Sequence, residues 1–261
     1  AQQVYPNAKT GGNYMHNYYF APAASSTPWW PSWHPDGKRI AFAMDGSIWS
    51  IEVGGTVAKE LVFSAREYLS MPEYSPDGRW LAYTADDDAK SINLRLLNVA
   101  TGQAVDLTTG PHVNHEPAWS PDGRRLAYVS TAPNGYFNVF VMDIVDGKPG
   151  KSVQITTDNT FGRDRLYFGD IDVHISPAFS PDGRLLATGG QDTLVRVWDL
   201  QTGERLAQGA RHKGPVLGLA FSPAGDFTSV VTSNTRASTR FTFPSSTAAS
   251  TPNAIDASAP A

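Results

Sequence analysis

One phrase recurs along this chain and constrains its fold more than any other feature. Pro-x-aromatic-(Ser or His)-Pro-Asp-Gly is written as PSWHPDG at 31–37, PEYSPDG at 72–78, PAWSPDG at 117–123 and PAFSPDG at 177–183, with a degraded fifth form, AFSPAG, at 220–225. The aspartates Asp36, Asp77, Asp122 and Asp182 stand 41, 45 and 60 residues apart. A repeat of this period is one supersecondary unit that buries its apolar surface only against its neighbours. The third spacing leaves room for an insertion.

Each part of the phrase has a physical role. Proline fixes its own φ, aspartate bonds to nearby backbone N–H groups, and glycine accepts positive φ, so Ser-Pro-Asp-Gly reads as a tight hairpin turn. Alternation follows it: Ile40 and Phe42, Leu81 and Tyr83, Leu126 and Tyr128, Leu185 and Ala187. Period two predicts a strand packed on one face. The aromatics before the turn, Trp33, Tyr74, Trp119 and Phe179, are expected between sheets. Burying such a ring removes about 150–250 Å² from water, worth several kcal/mol at about 25 cal/mol per Å².

A third strand follows in SIWSIEV, NLRLLNV, NVFVMDI and LVRVWDL, whose penultimate polar residues align as Glu52, Asn98, Asp143 and Asp199. A glycine turn and a fourth strand complete each unit, and Asn134-Gly135 adds a hairpin signal in the third copy. The 23 glycines, 19 prolines and abundant aromatics agree with an all-β chain. The fold class is a β-propeller of four-stranded antiparallel blades, about four to five of them, possible as an incomplete ring. The expected organisation is an N-terminal extension over 1–28, propeller repeats over 29–226 and a disordered low-complexity tail over 244–261. The blades fall near 31–70, 72–110, 117–157 and 177–209, with a partial one over 216–243.

Residues 29–182 resemble TolB-like propeller repeats, whose mark is P-x-W-S-P-D-G-x-x-L-A-Y. The stretch MHNYYFAPAASSTPWWPSWHPDGKRIAFAMDGSIWSIEVGG also resembles the N-terminal propeller of exported bacterial amidohydrolase-type enzymes. Residues 183–226 are instead similar to a WD repeat, in LLATGGQDTLVRVWDLQTGE and RHKGPVLGLAFSPAG. The WD resemblance implies a hydrogen-bonded His–Ser/Thr–Asp–Trp network, for which Thr188, Asp192 and Trp198 match. The histidine expected at 170 is Asp170.

The 261 residues are 41% hydrophobic and carry a net charge of −4. No basic excess exists to neutralise phosphates, which argues against nucleic-acid binding. No apolar run has the length of a transmembrane helix. With no cysteine, disulfides, thiol catalysis and cysteine zinc sites are excluded. The opening AQQVYP reads as a mature end after signal-peptide removal or as a fragment boundary. A periplasmic or extracellular location is the expectation, with a cytoplasmic one left open.

Catalytic motifs are missing. There is no G-x-S-x-G elbow, no H-E-x-x-H and no H-x-H, while GKPGKS at 147–152 lacks the first glycine of a phosphate-binding loop. Asp86–Asp88 read as a solvated hairpin tip rather than a calcium loop. The candidate binding residues are His112, His115 and Glu116 before the third hairpin, Asp170, Asp172 and His174 before the fourth, and Trp29 and Trp30. Asp36, Asp77, Asp122, Asp182, Asp192, Trp198 and Asp199 are the structural blade motif. No catalytic residue, metal or cofactor is expected.

The expected function is a non-catalytic propeller scaffold that binds a protein or peptide, without nucleic acid or membrane insertion, and with self-association through an open blade edge as a further expectation. Two alternatives remain. One is the substrate-positioning propeller part of a metal-dependent amidohydrolase-type enzyme whose catalytic domain is absent. The other is a chimeric sequence without a selected function.

Overall fold

Each Ser-Pro-Asp-Gly segment closes a hairpin through the same few atoms. In the second copy Ser75 N–H donates to the Trp80 carbonyl and Gly78 N–H donates to the Ser75 carbonyl, both at 2.9 Å. The Ser75 hydroxyl donates to Asp77 at 2.7 Å and accepts from Trp80 N–H at 3.0 Å. Asp77 then accepts from Arg79 N–H at 3.0 Å. Ser120, Asp122 and Arg125 repeat this pattern, as do Ser180, Asp182 and Leu185. Gly37, Gly78, Gly123 and Gly183 sit at φ of 67°, 70°, 68° and 69°. That region costs an L-residue about 1–2 kcal/mol.

The first copy has His34 in place of serine. Its Nδ1 accepts from Asp36 N–H at 3.2 Å, and its ring lies edge-on to Tyr74. The carboxyl of Asp36 is held down at about 2, chiefly by the backbone N–H of Lys38 and then by Arg39 and His34.

The computed structural model describes residues 26–87, 91–132, 137–157, 175–190, 193–208, 216–222, 227–231 and 238–241. The chain forms two compact units, 1–162 and 163–261. The first unit holds three four-stranded antiparallel sheets. They comprise β1 (Trp29–Trp33), β2 (Arg39–Met44), β3 (Ser47–Glu52) and β4 (Ala58–Val62); β5 (Tyr68–Tyr74), β6 (Trp80–Asp86), β7 (Ile92–Asn98) and β8 (Ala104–Asp106); β9 (Asn114–Trp119), β10 (Arg125–Ser130), β11 (Asn138–Val145) and β12 (Lys148–Gln154). The second unit holds β13 (Ile175–Phe179), β14 (Leu185–Gly189), β15 (Arg196–Asp199) and β16 (Arg205–Gln208), followed by β17 (Val216–Phe221), β18 (Phe227–Val231) and β19 (Ser238–Phe241) in a three-stranded sheet. Among the described residues there is no helix, and none is therefore long and apolar enough to cross a membrane. The described expectation of all-β blades holds.

Within each unit the first strand of a later sheet packs on the sheet before it: β5 lies on β1, β2 and β3, β9 on β5, β6 and β7, and β17 on β13 and β14. First strands are called inner strands below. Two apolar clusters fill the first unit. One joins Ala41, Ala43 and Ile48 of the first blade to Tyr74, Leu81, Tyr83 and Ala85 of the second. The other joins Ala82, Leu94 and Leu96 of the second blade to Trp119, Leu126, Tyr128 and Met142 of the third. The rule is constant. In both clusters the aromatic face of a later blade meets a face of alanine and branched aliphatic residues on the earlier one.

Three expectations are corrected by this packing. Strand β6 is buried on both faces, not one, because Leu81 and Tyr83 serve the first cluster and Ala82 the second. Trp33 is not between sheets. It is 58% exposed, since among the described residues of its unit no earlier blade receives its aromatic face; Tyr74, Trp119 and Phe179 are buried. Asp86 is also buried rather than solvated, being the last residue of β6 and paired there with Tyr68 and Ile92. The 134–135 hairpin signal, the extension up to residue 25 and the tail over 244–261 lie outside the described residues.

Candidate functional site

The inner strands share a device at the first proline of the phrase. Trp29 pairs with Ala43 and Ser32 with Ala41, leaving Trp30-Pro31 opposite a single residue. Met71-Pro72, Glu116-Pro117 and Ser176-Pro177 form the same bulge on β5, β9 and β13. Trp30, Met71, Glu116 and Ser176 have φ of 52°, 51°, 53° and 51°. Proline has no N–H to give to the ladder, so it is placed where pairing is interrupted. A bulge redirects the local side chains. In the first unit it sets Trp30, Met71 and Glu116 at equivalent positions of three successive inner strands.

Trp29 and Trp30 are half-buried, with ring centroids 6.2 Å apart and edge-on. Trp29 packs against the first cluster. His115 is 3% exposed, with its ring edge-on to Phe137 and its Nδ1 3.5 Å from Glu116. It therefore backs the site from inside, while half-buried His112 and Glu116 reach the surface. Burial lowers the imidazole pKa of His112. A polar network lies beside them: Asn114 donates to the Ile92 carbonyl at 3.1 Å and accepts from Ser130 at 2.7 Å. It ties the second blade to the third.

Glu73, unnoticed in the sequence, is the inner-strand residue directly after the bulge. Its carbonyl accepts from Trp119 Nε1 of the third blade at 3.1 Å. The next residue, Tyr74, gives its N–H to the Ser32 hydroxyl of the first blade at 3.0 Å. Desolvation raises the carboxyl to about 7, against a hydrogen bond from Ser32 that favours its charged form.

The described blade-motif aspartates each accept a backbone N–H of their own turn. Asp199 receives Arg184 at 2.8 Å and the Gln201 N–H at 2.8 Å. Trp198 Nε1 donates to Thr188 at 3.2 Å, making one link of the network implied by the WD resemblance. Asp170, Asp172, His174 and Asp192 lie outside the described residues. Among the described residues no group of three acidic or histidine side chains is placed to hold a metal ion.

Blades of four antiparallel strands, closed by one repeated turn and stacked through their inner strands, invite comparison with known propellers. Residues 47–171 match the TolB beta propeller domain. Residues 170–199 match the WD domain, G-beta repeat. The chain is thus similar to TolB-type repeats over 47–171 and to a WD repeat over 170–199. TolB from Acinetobacter baumannii, in its crystal structure, is similar with a TM-score of 0.58 at 17% identity, over 79% of this chain and 52% of that one. This is a likeness of fold. Pre-mRNA-processing factor 19 of Oryza sativa subsp. japonica is 39% identical over 54 residues, which are 21% of this chain and 10% of that protein. Periodic tryptophan protein 2 homolog of Dictyostelium discoideum is 41% identical over 46 residues, 18% of this chain and 5% of that protein. The chain spans about half of the TolB structure and a tenth or less of these two relatives. None of these matches supports the amidohydrolase likeness.

Proposed function

We propose that this chain is a non-catalytic propeller scaffold that binds a protein or peptide partner along the inner strands of its first unit. The observation that carries the reading is the repeated left-handed bulge. It spends backbone strain of about 1–3 kcal/mol at each non-glycine site, and in the first unit it places half-buried Trp30 and Glu116 at equivalent positions of the first and third inner strands, with Met71 of the second strand buried. Aromatic anchors with a few polar neighbours are the usual source of interface affinity. His115, locked against Phe137, holds the Glu116 segment in place from behind. The TolB and WD matches support a rigid scaffold with function carried by its exposed segments.

A displayed random-peptide library, panned against the full chain, tests this. Enriched peptides are expected to lose about tenfold or more in affinity for Trp30→Ala and Glu116→Gln, as for an interface anchor worth over 1 kcal/mol. Failure to enrich any peptide, or equal affinity for wild type and both variants, overturns the proposal.

A further inference from the structure

The repeat supplies its own control for Glu73. The equivalent inner-strand residues are Ser32, Ala118 and Ala178, and all four pair with an alanine of the next strand: Ala41, Ala82, Ala127 and Ala187. The blade therefore needs only a small residue here. In the second blade it has a carboxylate instead, at the point where three blades meet: its main chain holds Trp119 of the third, and its side chain is beside Ser32 of the first. Among the described residues no cation pairs with it; Arg39, Arg79, Arg95 and Arg184 are engaged with other acids. Glu73 is half-buried, so part of it stays accessible from solvent, and carboxyl groups perturbed by their surroundings cluster at functional sites.

We infer that Glu73 is the anchor of a binding site for a cationic side chain, the ammonium or guanidinium of a lysine or arginine in a partner peptide; this rests on the peptide-binding reading above. A metal ion is the poorer fit. One carboxylate and one hydroxyl fall far short of the six to eight oxygens that calcium takes or the six around magnesium. A lysine or arginine needs only one carboxylate, with the Ser32 hydroxyl beside it to orient the oxygens. The raised carboxyl pKa supports the assignment. An arriving cation restores the charged form, so binding displaces a proton and strengthens as pH rises through neutrality.

The test uses two fluorescent pools of acetylated peptides of equal length and matched random composition. One pool carries lysine or arginine at the central position, the other norleucine or citrulline. Both are titrated against the full-length chain, Glu73→Gln and Trp30→Ala, at pH 6 and pH 8. Wild type is expected to hold the basic pool about tenfold tighter than the neutral pool at pH 8, the scale of one charged hydrogen bond, and to discriminate less at pH 6. Glu73→Gln is expected to lose that discrimination at both pH values while keeping its affinity for the neutral pool. Equal discrimination by wild type and Glu73→Gln overturns the inference. If wild type binds both pools alike and Trp30→Ala releases both, peptide binding stands and the Glu73 assignment falls. If no form retains either pool, both readings fall.

Discussion

Replacing Glu73 by glutamine keeps the size of the side chain and removes its ability to ionise, so the pair of proteins isolates one titration. The folded-state carboxyl lies at about 7, against an ordinary value of 4.5. A group whose pKa is raised on folding binds its proton more tightly in the native state. Its stabilisation is complete below the unfolded value, declines as pH rises towards the folded one, and is gone above it. The window here runs from about pH 4.5 to somewhat above 7. At about 1.4 kcal/mol per tenfold in proton affinity the ceiling is about 3 kcal/mol. The side chain keeps some access to water, which brings the expected loss to about 2 kcal/mol. Urea unfolding of wild type and Glu73→Gln at pH 5 and pH 8, followed by tryptophan fluorescence, measures it. The variant is expected to overtake wild type in stability at pH 8 and not at pH 5. The turn aspartates do not imitate this result, because their lowered pKa values give stability that is lost only on acidification below the window. An identical wild-type-minus-variant difference at the two pH values would refute the reasoning.

Other substitutions probe the packing. Gly147→Ala drives a Cβ into the Trp80 ring at a φ of 71°, so strain and overpacking together cost about 2–5 kcal/mol; chemical denaturation reads this, and a Trp80→Leu background is expected to recover much of it. Trp119→Phe removes the indole N–H that donates to the Glu73 carbonyl, for an expected loss of about 1 kcal/mol in the same assay. Ser120→Ala removes the hydroxyl that accepts from Arg125 N–H and donates to Asp122, a comparable loss, with weakened hydrogen-exchange protection confined to the third blade's first hairpin.

The candidate site was only half legible. Trp30 stood out in the Trp29-Trp30 pair and Glu116 in the HVNHE cluster, yet their left-handed backbone did not, because a residue before proline is ordinarily extended. Glu73 was hidden inside PEYSPDG, where it reads as one more polar residue on a strand. His115 had looked like a surface ligand, and Phe137, twenty-two residues later, is what receives it.

What the sequence determined by itself was the turns and, through them, the all-β repeat. Ser75, Asp77 and Trp80 find one another within five residues, so the hairpin is specified wherever Ser-Pro-Asp-Gly is written. What only the tertiary structure decided was which faces are covered, where the inner strands bulge, and how a carboxyl ionises. Trp33 and Trp119 occupy the same place in the phrase; one is 58% exposed and the other 8%. The difference lies in whether an earlier blade within the unit stands against the ring, and desolvation, like burial, is a property of neighbours brought together from distant parts of the chain.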